Sequence, residues 1–457
     1  MQNAVGSMAS GEEMFRLIEE LYPICRSITG NGVRETLRIL QRHVPLEIRE
    51  IPSGTQAFDW TVPKEWNIRD AYVKDTRGNR VVDFEKSNLH VVNYSVPVRR
   101  RMSFAELKVH LFTLPERPDW IPYRTSYYKE DWGFCLSHNQ LLAIKDGEYE
   151  VCIDSTLRDG SLTLGECYLA GRTADEVLIS CHVCHPSLAN DNLSGLTIAT
   201  HLAQFLAGRD LRYSYRFLFI PGTIGAITWL ARNQAAAERV RHGVVLTCIG
   251  DKGAFHYKKS RRGTAEIDRA MMHVLSHQTA SPEFLEFSPY GYDERQYCSP
   301  GFNLPVGCLM RSVWGTFPEY HTSADNLEFI HPAQLAESLR ACTAVFDVLE
   351  SNRRYCNLNP FCEPQLGKRG LYRPTGGGSI EGELNARLWV LNLSDGQHSL
   401  LDIAERSRIA FPMIRDAADL LHENGLLSVI SEDVAKEKSS RDAAPNVAVA
   451  GEASPKE

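Results

Sequence analysis

The sequence predicts an α/β protein whose helix-flanked sheet carries two additions, an inserted β-rich domain and a C-terminal winged helix-turn-helix. From Tyr168 to about Leu349, short apolar runs alternate with segments of helical periodicity, which is typical of a sheet with helices packed on its faces. Residues 58–165 instead combine many aromatic residues with alternating runs and frequent turn signals, which indicates a unit of short strands. Near the end of the chain, helical patterns joined by a turn and followed by an apolar strand indicate the winged helix.

The α/β domain is predicted to comprise residues 11–57 and 166–355. Its first part has helical spacing from residue 12 to residue 43, broken at Gly30–Gly32. The predicted strands are Val177–Ser180, Arg216–Ile220, Gly243–Ile249 and Leu304–Met310, and a helix is predicted over Leu193–Leu206. Because ligands in such sheets bind where the strands end, the loops after these strands are the places where chemistry is expected.

Three further regions complete the predicted organisation. Residues 58–165 form the inserted β-rich domain, whose aromatic residues fit a lid over a site or, for most of them, the core of the domain itself. Residues 365–430 form the winged-helix domain. Residues 431–457 are charged and rich in Ala and Pro, which predicts a disordered tail.

Composition and charge disfavour several classes of protein. The 457 residues are 43% hydrophobic and 23% charged, as in ordinary globular proteins. With 50 Lys and Arg against 57 Asp and Glu, the chain has no basic excess for nucleic acid, and residues 400–421 of the winged helix have more acidic than basic side chains. The winged helix is therefore interpreted as a docking or dimerisation unit, which would make the protein a homo-oligomer.

The sequence also predicts where the protein works. No run of ~18 apolar residues indicates a membrane helix, and the first residues lack the basic and apolar regions of an export signal. Reduced thiols in the cytoplasm are expected for the 12 cysteines. Cys181 and Cys184 form a C-x-x-C pair, but a zinc ribbon needs a second such pair, and the sequence has none.

The segment Ser180–Gly195 holds the strongest chemical signal. It places His182, His185 and Asp191 between a predicted strand and a predicted helix. Catalytic zinc takes three such ligands and a water molecule, and His321, in another loop, offers the third. A loop histidine or a helix-capping aspartate would explain each residue singly, but together they favour zinc bound by His182, Asp191 and His321. His185 could be a ligand in place of His182, a hydrogen-bond donor to one of the ligands, or a substrate-binding residue.

These motifs also carry a resemblance. Asp191-Asn-Leu-Ser-Gly and Tyr320-His-Thr-Ser-Ala-Asp resemble the aspartate and final-histidine motifs of the M28 zinc aminopeptidases. The chain to about residue 430 more closely resembles the aminopeptidase-like DUF4910 family, which has a DUF2172 insert and a C-terminal winged helix. The matching motifs are Cys184-His-Pro-Ser-Leu-Ala-Asn-Asp-Asn-Leu-Ser-Gly, Gly222-Thr-Ile-Gly and Asp293-Glu-Arg-Gln-Tyr-Cys-Ser-Pro-Gly. The resemblance implies a zinc aminopeptidase (phosphorylase/hydrolase-like) sheet.

The chain departs from the M28 pattern in two places. Gly222 and Thr223 stand where M28 enzymes have a glutamate base and a glutamate ligand. A further aspartate ligand would fall near Thr247, and Asp251 is offset from it by four residues. The remaining ligands suffice for one tetrahedral zinc, so one ion is favoured over two. Asp325 is expected to orient a neighbouring group rather than to bind the metal.

The missing base needs a substitute near the metal. Glu294 is the first candidate for this base, and Glu319, two residues before His321, is the second. Arg295 is a candidate for binding a substrate carboxylate, and Tyr297 for donating a hydrogen bond to an oxyanion. The alternative is that residues 293–295 form a solvated loop with an ion pair of little energetic weight.

The sequence therefore predicts a zinc-dependent hydrolase that cleaves a peptide or amide bond of a small substrate. It is aminopeptidase-like by resemblance, and a step in a biosynthetic pathway is as plausible as general peptide trimming. Three alternatives stay open. One is a single-zinc enzyme that rearranges or cyclises an amide. Another is an inactive protein that binds a small molecule or peptide, which the missing glutamate pair favours. The third, a DNA-binding regulator, is disfavoured by the acidic winged helix.

Overall fold

The computed structural model describes residues 8–372 and 382–430 of the chain. The chain divides into two compact units, one reaching to Glu350 and the other starting at Ser351. The predicted disordered tail, residues 431–457, lies outside the described residues.

The first unit contains all the segments predicted for the α/β domain up to residue 350 and the inserted β-rich segment. Its helices are α1 (Gly11–Leu21), α2 (Asn31–Leu40), α3 (Phe104–Lys108), α4 (His138–Ala143), α5 (Gly195–Leu206), α6 (Ile224–Arg232), α7 (Gln234–Ala237), α8 (Glu266–Gln278), α9 (Glu294–Tyr297) and α10 (Pro332–Ser351). Its strands are β1 (Leu46–Pro52), β2 (Gln56–Ala57), β3 (Trp60–Thr61), β4 (Glu65–Lys74), β5 (Arg80–Asp83), β6 (Val98–Ser103), β7 (Leu111–Phe112), β8 (Phe134–Cys135), β9 (Glu148–Arg158), β10 (Ser161–Leu169), β11 (Glu176–His182), β12 (Ser214–Ile220), β13 (Val240–Leu246), β14 (His256–Lys258), β15 (Glu283–Leu285) and β16 (Val306–Met310).

A mixed eight-stranded sheet forms the centre of this unit. The strands run in the order β1-β10-β12-β11-β13-β16-β14-β15. The four central strands β12, β11, β13 and β16 are parallel to their neighbours in that group. Strands β1 and β10 are antiparallel to the strands beside them, whereas β14 is antiparallel to β16 and parallel to β15. The carboxyl ends of the four parallel strands therefore lie at one edge of the sheet.

Burial explains why these strands form a rigid platform. Strands β11 and β12 are buried along their whole length, as expected for parallel strands covered on both faces. Phe217 and Phe219 of β12 belong to this core. Arg216, which precedes Phe217, is buried but forms ion pairs with Glu176 and Glu166, because a charge removed from water needs a partner. Helix α5 is buried over most of its surface and contacts β11 and β13.

The predicted β-rich insert forms a sheet of its own. Strands β5, β4, β9 and β6 pair in this order, all antiparallel, over an apolar core that includes Val73, Val151 and Phe134. Strands β1 and β10 flank the small sheet in the chain and pair with each other in the large sheet, so residues 161–165 of the predicted insert belong to the large sheet. The insert thus leaves and re-enters the sheet through two neighbouring strands.

The second unit is a winged helix-turn-helix. It contains β17 (Arg354–Asn357), α11 (Glu383–Leu393), β18 (Asp395–Ser399), α12 (Leu400–Ser407), α13 (Phe411–Glu423) and β19 (Leu427–Val429). Strand β17 lies between β18 and β19, so the unit begins before residue 365, where the sequence places its start. A four-residue strand of this kind depends on partners distant in the chain and has no local signature. Within the described residues, no helix is long and apolar enough to cross a membrane.

Candidate metal centre

The loops after the parallel strands meet at one edge of the large sheet. Strand β11 ends at His182, β12 at Ile220, β13 at Leu246 and β16 at Met310. Since these strands are parallel, their carboxyl ends face the same side, which is where α/β sheets bind ligands. The loop after β16 carries His321 back to the loop after β11. The fold therefore brings together the two loops in which the sequence predicts the metal ligands.

Three histidines surround the carboxylate of Asp191. The Nε2 atom of His182 lies 2.9 Å from Asp191 Oδ1, and His321 Nε2 lies 2.9 Å from Asp191 Oδ2. His185 Nε2 lies 3.9 Å from the same Oδ2 atom. Asp191 is fully buried and His182 is 2% exposed. The three predicted metal ligands are therefore neighbours, and His185, predicted mainly as a substrate-binding residue, stands among them.

The geometry of this cluster fits a metal ion. His182 Nε2 is buried and makes no hydrogen bond to any part of the chain that the structure describes, although Asp191 Oδ1 is close. The ligand atoms of His182, His185 and Asp191 lie within 4.8 Å of one another. Two atoms bound to one tetrahedral zinc at ~2.0–2.1 Å are about 3.3 Å apart, which falls between the observed separations of 2.9 and 3.9 Å. Imidazole nitrogen and carboxylate oxygen are also the donors that zinc takes.

The protonation states of the cluster suit metal binding. Burial lowers the pKa of His185 well below its usual range, so its imidazole is neutral. Burial by itself would raise the pKa of Asp191, but the surrounding histidines, two of which lie 2.9 Å from its carboxylate oxygens, outweigh it and hold this pKa well below the usual range. A neutral imidazole and an ionised carboxylate are the forms that coordinate metals.

Two further aspartates hold the loop that carries Asp191. Asp325 accepts hydrogen bonds from the backbone N–H groups of Asn190 at 2.6 Å and Asp191 at 2.9 Å. Asp251 accepts a hydrogen bond from the Asn190 side chain at 2.7 Å. Burial raises the pKa of Asp325 to about 8. Both carboxylates thus contact the ligand loop without joining the cluster, in the manner that the sequence predicts for Asp325.

Two tyrosines contact the cluster. The hydroxyl of Tyr292 donates to Asp191 Oδ1 at 2.9 Å, and its ring stacks on His182 with centroids 4.8 Å apart. The ring of Tyr320 stacks on His321 at 4.0 Å. The sequence analysis did not single out either residue, because a tyrosine beside a charged motif has no signature of its own. Stacking and hydrogen bonding restrict how the two histidines and the carboxylate can turn.

The inserted domain also reaches the site, through residues 121–123. The backbone N–H of Tyr123 donates to the carbonyl oxygen of His321 at 2.7 Å, and Ile121 exchanges two hydrogen bonds with Ser323. The ring of Tyr123 lies 5.1 Å from the rings of both His185 and His321. His321 itself has φ = 55°, an uncommon backbone conformation that these contacts hold in place. The insert therefore supplies one wall of the site.

The two positions of the missing glutamates lie at the start of α6. A Cβ atom on Gly222 would stand 3.4 Å from His182 Cβ and 3.5 Å from Cys184 Sγ, so this position is beside the cluster. Thr223 has φ = 67°, and its backbone N–H donates to Asp293 Oδ1 at 2.7 Å. Asp293 is 3% exposed, and burial raises its pKa to about 6. A carboxylate from another segment thus contacts the backbone at one of these two positions.

Two of the predicted catalytic and substrate-binding residues are used differently. Glu294, the first candidate base, is fully buried and its Oε1 accepts a hydrogen bond from Lys258 Nζ at 2.8 Å. Tyr297, predicted to bind an oxyanion, is also fully buried, and its hydroxyl lies 2.9 Å from Ser180 Oγ in the sheet core. Both placements correct the prediction. The short helix α9 points these side chains into the protein, where Glu294 needs a cation and Tyr297 a hydroxyl partner.

Arg295 and Glu319 are both partly buried. Arg295 donates from Nη2 to Thr223 Oγ1 at 3.2 Å, and its buried Nε has no hydrogen-bond partner among the described residues. Glu319 is partly buried, and its backbone carbonyl accepts from Thr322 in the turn that contains His321. These placements keep Arg295 as a predicted carboxylate-binding residue and Glu319 as the second candidate base.

Comparisons with known proteins agree with this architecture. Residues 15–352 match the model of the family described as "Domain of unknown function (DUF4910)". Residues 353–429 match a winged helix-turn-helix model. A Clostridium acetobutylicum protein named "Putative polysaccharide biosynthesis protein with aminopeptidase-like domain" is 53% identical over 425 residues, which are 93% of this chain and 98% of that protein.

Solved structures give the same result for the fold. A crystal structure named as that of a "putative peptidase" from Clostridium acetobutylicum has a TM-score of 0.88 and 52% identity, and the match covers 92% of this chain and 96% of that one. BSAP, a zinc aminopeptidase from Bacillus subtilis, has a TM-score of 0.54 at 11% identity, over 74% and 95% of the two chains. A Peptidase M28 precursor from Shewanella amazonensis has a TM-score of 0.51 at 13% identity, over 74% and 92%. The predicted zinc aminopeptidase fold with a C-terminal winged helix is confirmed.

Proposed function

The chain belongs to the DUF4910 family, and from this premise we propose that it is a zinc-dependent hydrolase that cleaves a peptide or amide bond of a small substrate. Its relative is named for an aminopeptidase-like domain, and its fold is that of zinc aminopeptidases. The observation that carries the proposal is that imidazole nitrogens converge on the buried carboxylate of Asp191. One of these nitrogens, His182 Nε2, makes no hydrogen bond to the described chain.

We assign zinc binding to His182, Asp191 and His321. A zinc ion held by three protein ligands polarises a carbonyl group and lowers the pKa of water to ~7. Asp325 and Tyr292 keep Asp191 oriented through hydrogen bonds of 2.9 Å to its backbone N–H and its Oδ1. Fixed ligands need no reorganisation when the substrate arrives, which favours catalysis.

We assign proton transfer to Asp293 rather than to its neighbour Glu294. Asp293 accepts the Thr223 N–H beside the position of the missing glutamates, whereas Glu294 is committed to Lys258. A base with a pKa near the working pH transfers protons efficiently, and the Asp293 pKa of about 6 meets this requirement. Glu319 is the second candidate, because it lies two residues from His321.

We propose that the substrate carries a carboxylate near the bond that is cleaved. Arg295 has a buried Nε without a hydrogen-bond partner in the described chain, and a guanidinium group binds carboxylates with two parallel hydrogen bonds. A role in a biosynthetic pathway is supported by the name of the Clostridium relative, which includes polysaccharide biosynthesis. A cytoplasmic location is supported by the 12 cysteines, all of which are free thiols.

The first experiment measures metal content by mass spectrometry in protein purified without added metal, for the wild type and for His321→Ala. We expect about one zinc per chain in the wild type and its loss in the variant. His138→Ala, in helix α4 of the insert, is the control and should retain the metal. A wild type that takes up no zinc even when zinc is supplied would contradict the proposal and favour an inactive binding protein.

The second experiment tests the reaction on aminoacyl amides and small peptides with a free carboxylate. Mass spectrometry of the products separates hydrolysis, which adds water, from cyclisation of an amide, which does not. Release of products with added water, by the wild type and not by His321→Ala, is the expected result. Products without added water would replace the hydrolase by the cyclising enzyme.

A further inference from the structure

His185 stands too close to the cluster to be only a substrate contact. We infer that His185 is a further metal ligand, so that one ion is held by three imidazoles and the carboxylate of Asp191. The inference rests on the proposed zinc-dependent function and changes its ligand set from three residues to four. The sequence alone predicts His185 as a substrate-binding residue, a hydrogen-bond donor to a ligand, or a ligand in place of His182, and not as a fourth ligand beside it.

The distances place His185 within coordinating range. Its Nε2 atom lies 3.9 Å from Asp191 Oδ2, and its ligand atom falls within 4.8 Å of those of His182 and Asp191. Its ring centroid lies 4.7 Å from that of His182 and 5.1 Å from that of His321. Atoms that share one tetrahedral zinc are about 3.3 Å apart, and the separation of His185 Nε2 from Asp191 Oδ2 exceeds this value by about 0.6 Å.

The surroundings of His185 direct Nε2 toward the cluster. Its other ring nitrogen, Nδ1, lies 3.5 Å from Cys184 Sγ. Its backbone carbonyl accepts a hydrogen bond from the buried Arg26 at 2.8 Å, and the ring of Tyr123 packs beside it at 5.1 Å. Metal-binding histidines commonly have their second nitrogen occupied in this way, which fixes the orientation of the ring.

The chain lacks the further carboxylate ligands of the M28 pattern, and this absence is the reason to expect another imidazole at the metal. Gly222 and Thr223 provide no carboxylate at the start of α6, and the buried Thr247 provides none after β13, where its Oγ1 lies 3.6 Å from Cys248 Sγ. Asp251 is held by Asn190, Gly253 and Ser312 instead. Without those carboxylates the cluster offers one anionic and three neutral ligands, which suits a single divalent ion. With His182, His185, Asp191 and His321 all bound, a substrate would have to enter as a fifth ligand, a coordination number that zinc reaches in some transition states.

The test measures the zinc affinity of the full chain after removal of metal, by titration against a competing chelator. Residues that only hydrogen-bond to a metal ligand change this affinity by about 10–100-fold. We therefore expect His185→Gln to weaken zinc binding by more than about 100-fold and to change the visible absorption of the cobalt-substituted protein. His138→Gln, in the insert, is the matched control and should equal the wild type in both measurements.

Zinc affinity within about 100-fold of the wild type, or an unchanged cobalt spectrum, would overturn the role of His185. If His185→Gln does not fold, X-ray absorption of the zinc-loaded wild type counts the imidazoles at the metal, and three support the inference whereas two contradict it. A wild type that binds no zinc refutes the proposed function and the inference with it. A wild type that binds zinc through two imidazoles refutes the inference alone.

Discussion

The hydrogen bonds of Asp325 to the ligand loop predict how the metal site responds to a change outside it. Asp325 accepts the N–H groups of Asn190 and Asp191 on separate oxygens, at 2.6 and 2.9 Å. In Asp325→Asn, one of those oxygens becomes an NH2 group that faces an N–H. One backbone donor next to the metal ligand then has no acceptor, and the loop must shift to satisfy it.

The expected magnitude follows from the role of this residue. Losing a group that orients a metal ligand weakens metal binding by about 10–100-fold, which corresponds to about 1.4–2.8 kcal/mol. The assay is zinc titration against a competing chelator, with near-ultraviolet circular dichroism to check the fold. Asp268→Asn is the matched control, because Asp268 also accepts two backbone N–H groups, those of Ser260 and Ala265, but lies at helix α8. Asp268→Asn should lower the stability of the fold and leave zinc affinity unchanged.

Equal zinc affinity in Asp325→Asn and the wild type would refute this reasoning, since the two hydrogen bonds would then not hold Asp191 in its binding position. Equal losses in both variants would also refute it, because the effect would come from general destabilisation. Only a loss specific to Asp325→Asn agrees with the geometry of the loop.

Two further predictions concern the proton acceptor and the stability of the sheet. For Asp293→Asn we expect a fall in kcat of about 10²–10⁴-fold, with zinc content and KM little changed, measured on an amide that the wild type cleaves; an unchanged kcat would exclude Asp293 as the base. Burial lowers the pKa of His242 in β13 to about 4, so below the ordinary pKa of 6.5 the unfolded chain takes up a proton that the folded chain does not. The free energy of unfolding should therefore fall by about 1.6 kcal/mol between pH 6.5 and pH 5 through this residue. Urea unfolding at the two pH values measures this change in the free energy of unfolding, which should be smaller by that amount in His242→Gln. An equal change in the variant and the wild type would contradict the prediction.

Much of the fold could be predicted from local patterns, because most of the long helices and buried strands have a periodic pattern of apolar residues in the sequence. The buried strand β11 is the element before the apolar helix α5, and a short segment with polar residues separates them. These polar residues indicate where the strand ends. The start of the winged-helix sheet was missed, because β17 is a short strand whose pairing with β18 and β19 is entirely long-range.

The neighbouring residues Asp293 and Glu294 show where sequence reasoning ends. Successive residues of a helical turn point about 100° apart, so one carboxylate faces Thr223 and the other faces Lys258. Both partners lie far away in the chain. A charged pair in a loop motif does not indicate which of its two side chains faces the metal cluster. The predicted base, Glu294, is the one that is buried against Lys258.

The sequence by itself determined the sheet, its two additions and the residue types of a metal site, since periodicity and ligand chemistry are properties of short segments. The tertiary structure decided which side chains lie next to one another at the metal site. It brought His185 and His321 to Asp191, placed Tyr123 of the insert against them, and set Asp293 beside the empty glutamate positions. His185 lies six residues from Asp191 in the same loop, whereas the other contacts join residues that are 62 to 198 positions apart. Loops this distant in the chain meet because the parallel strands end at one edge of the sheet.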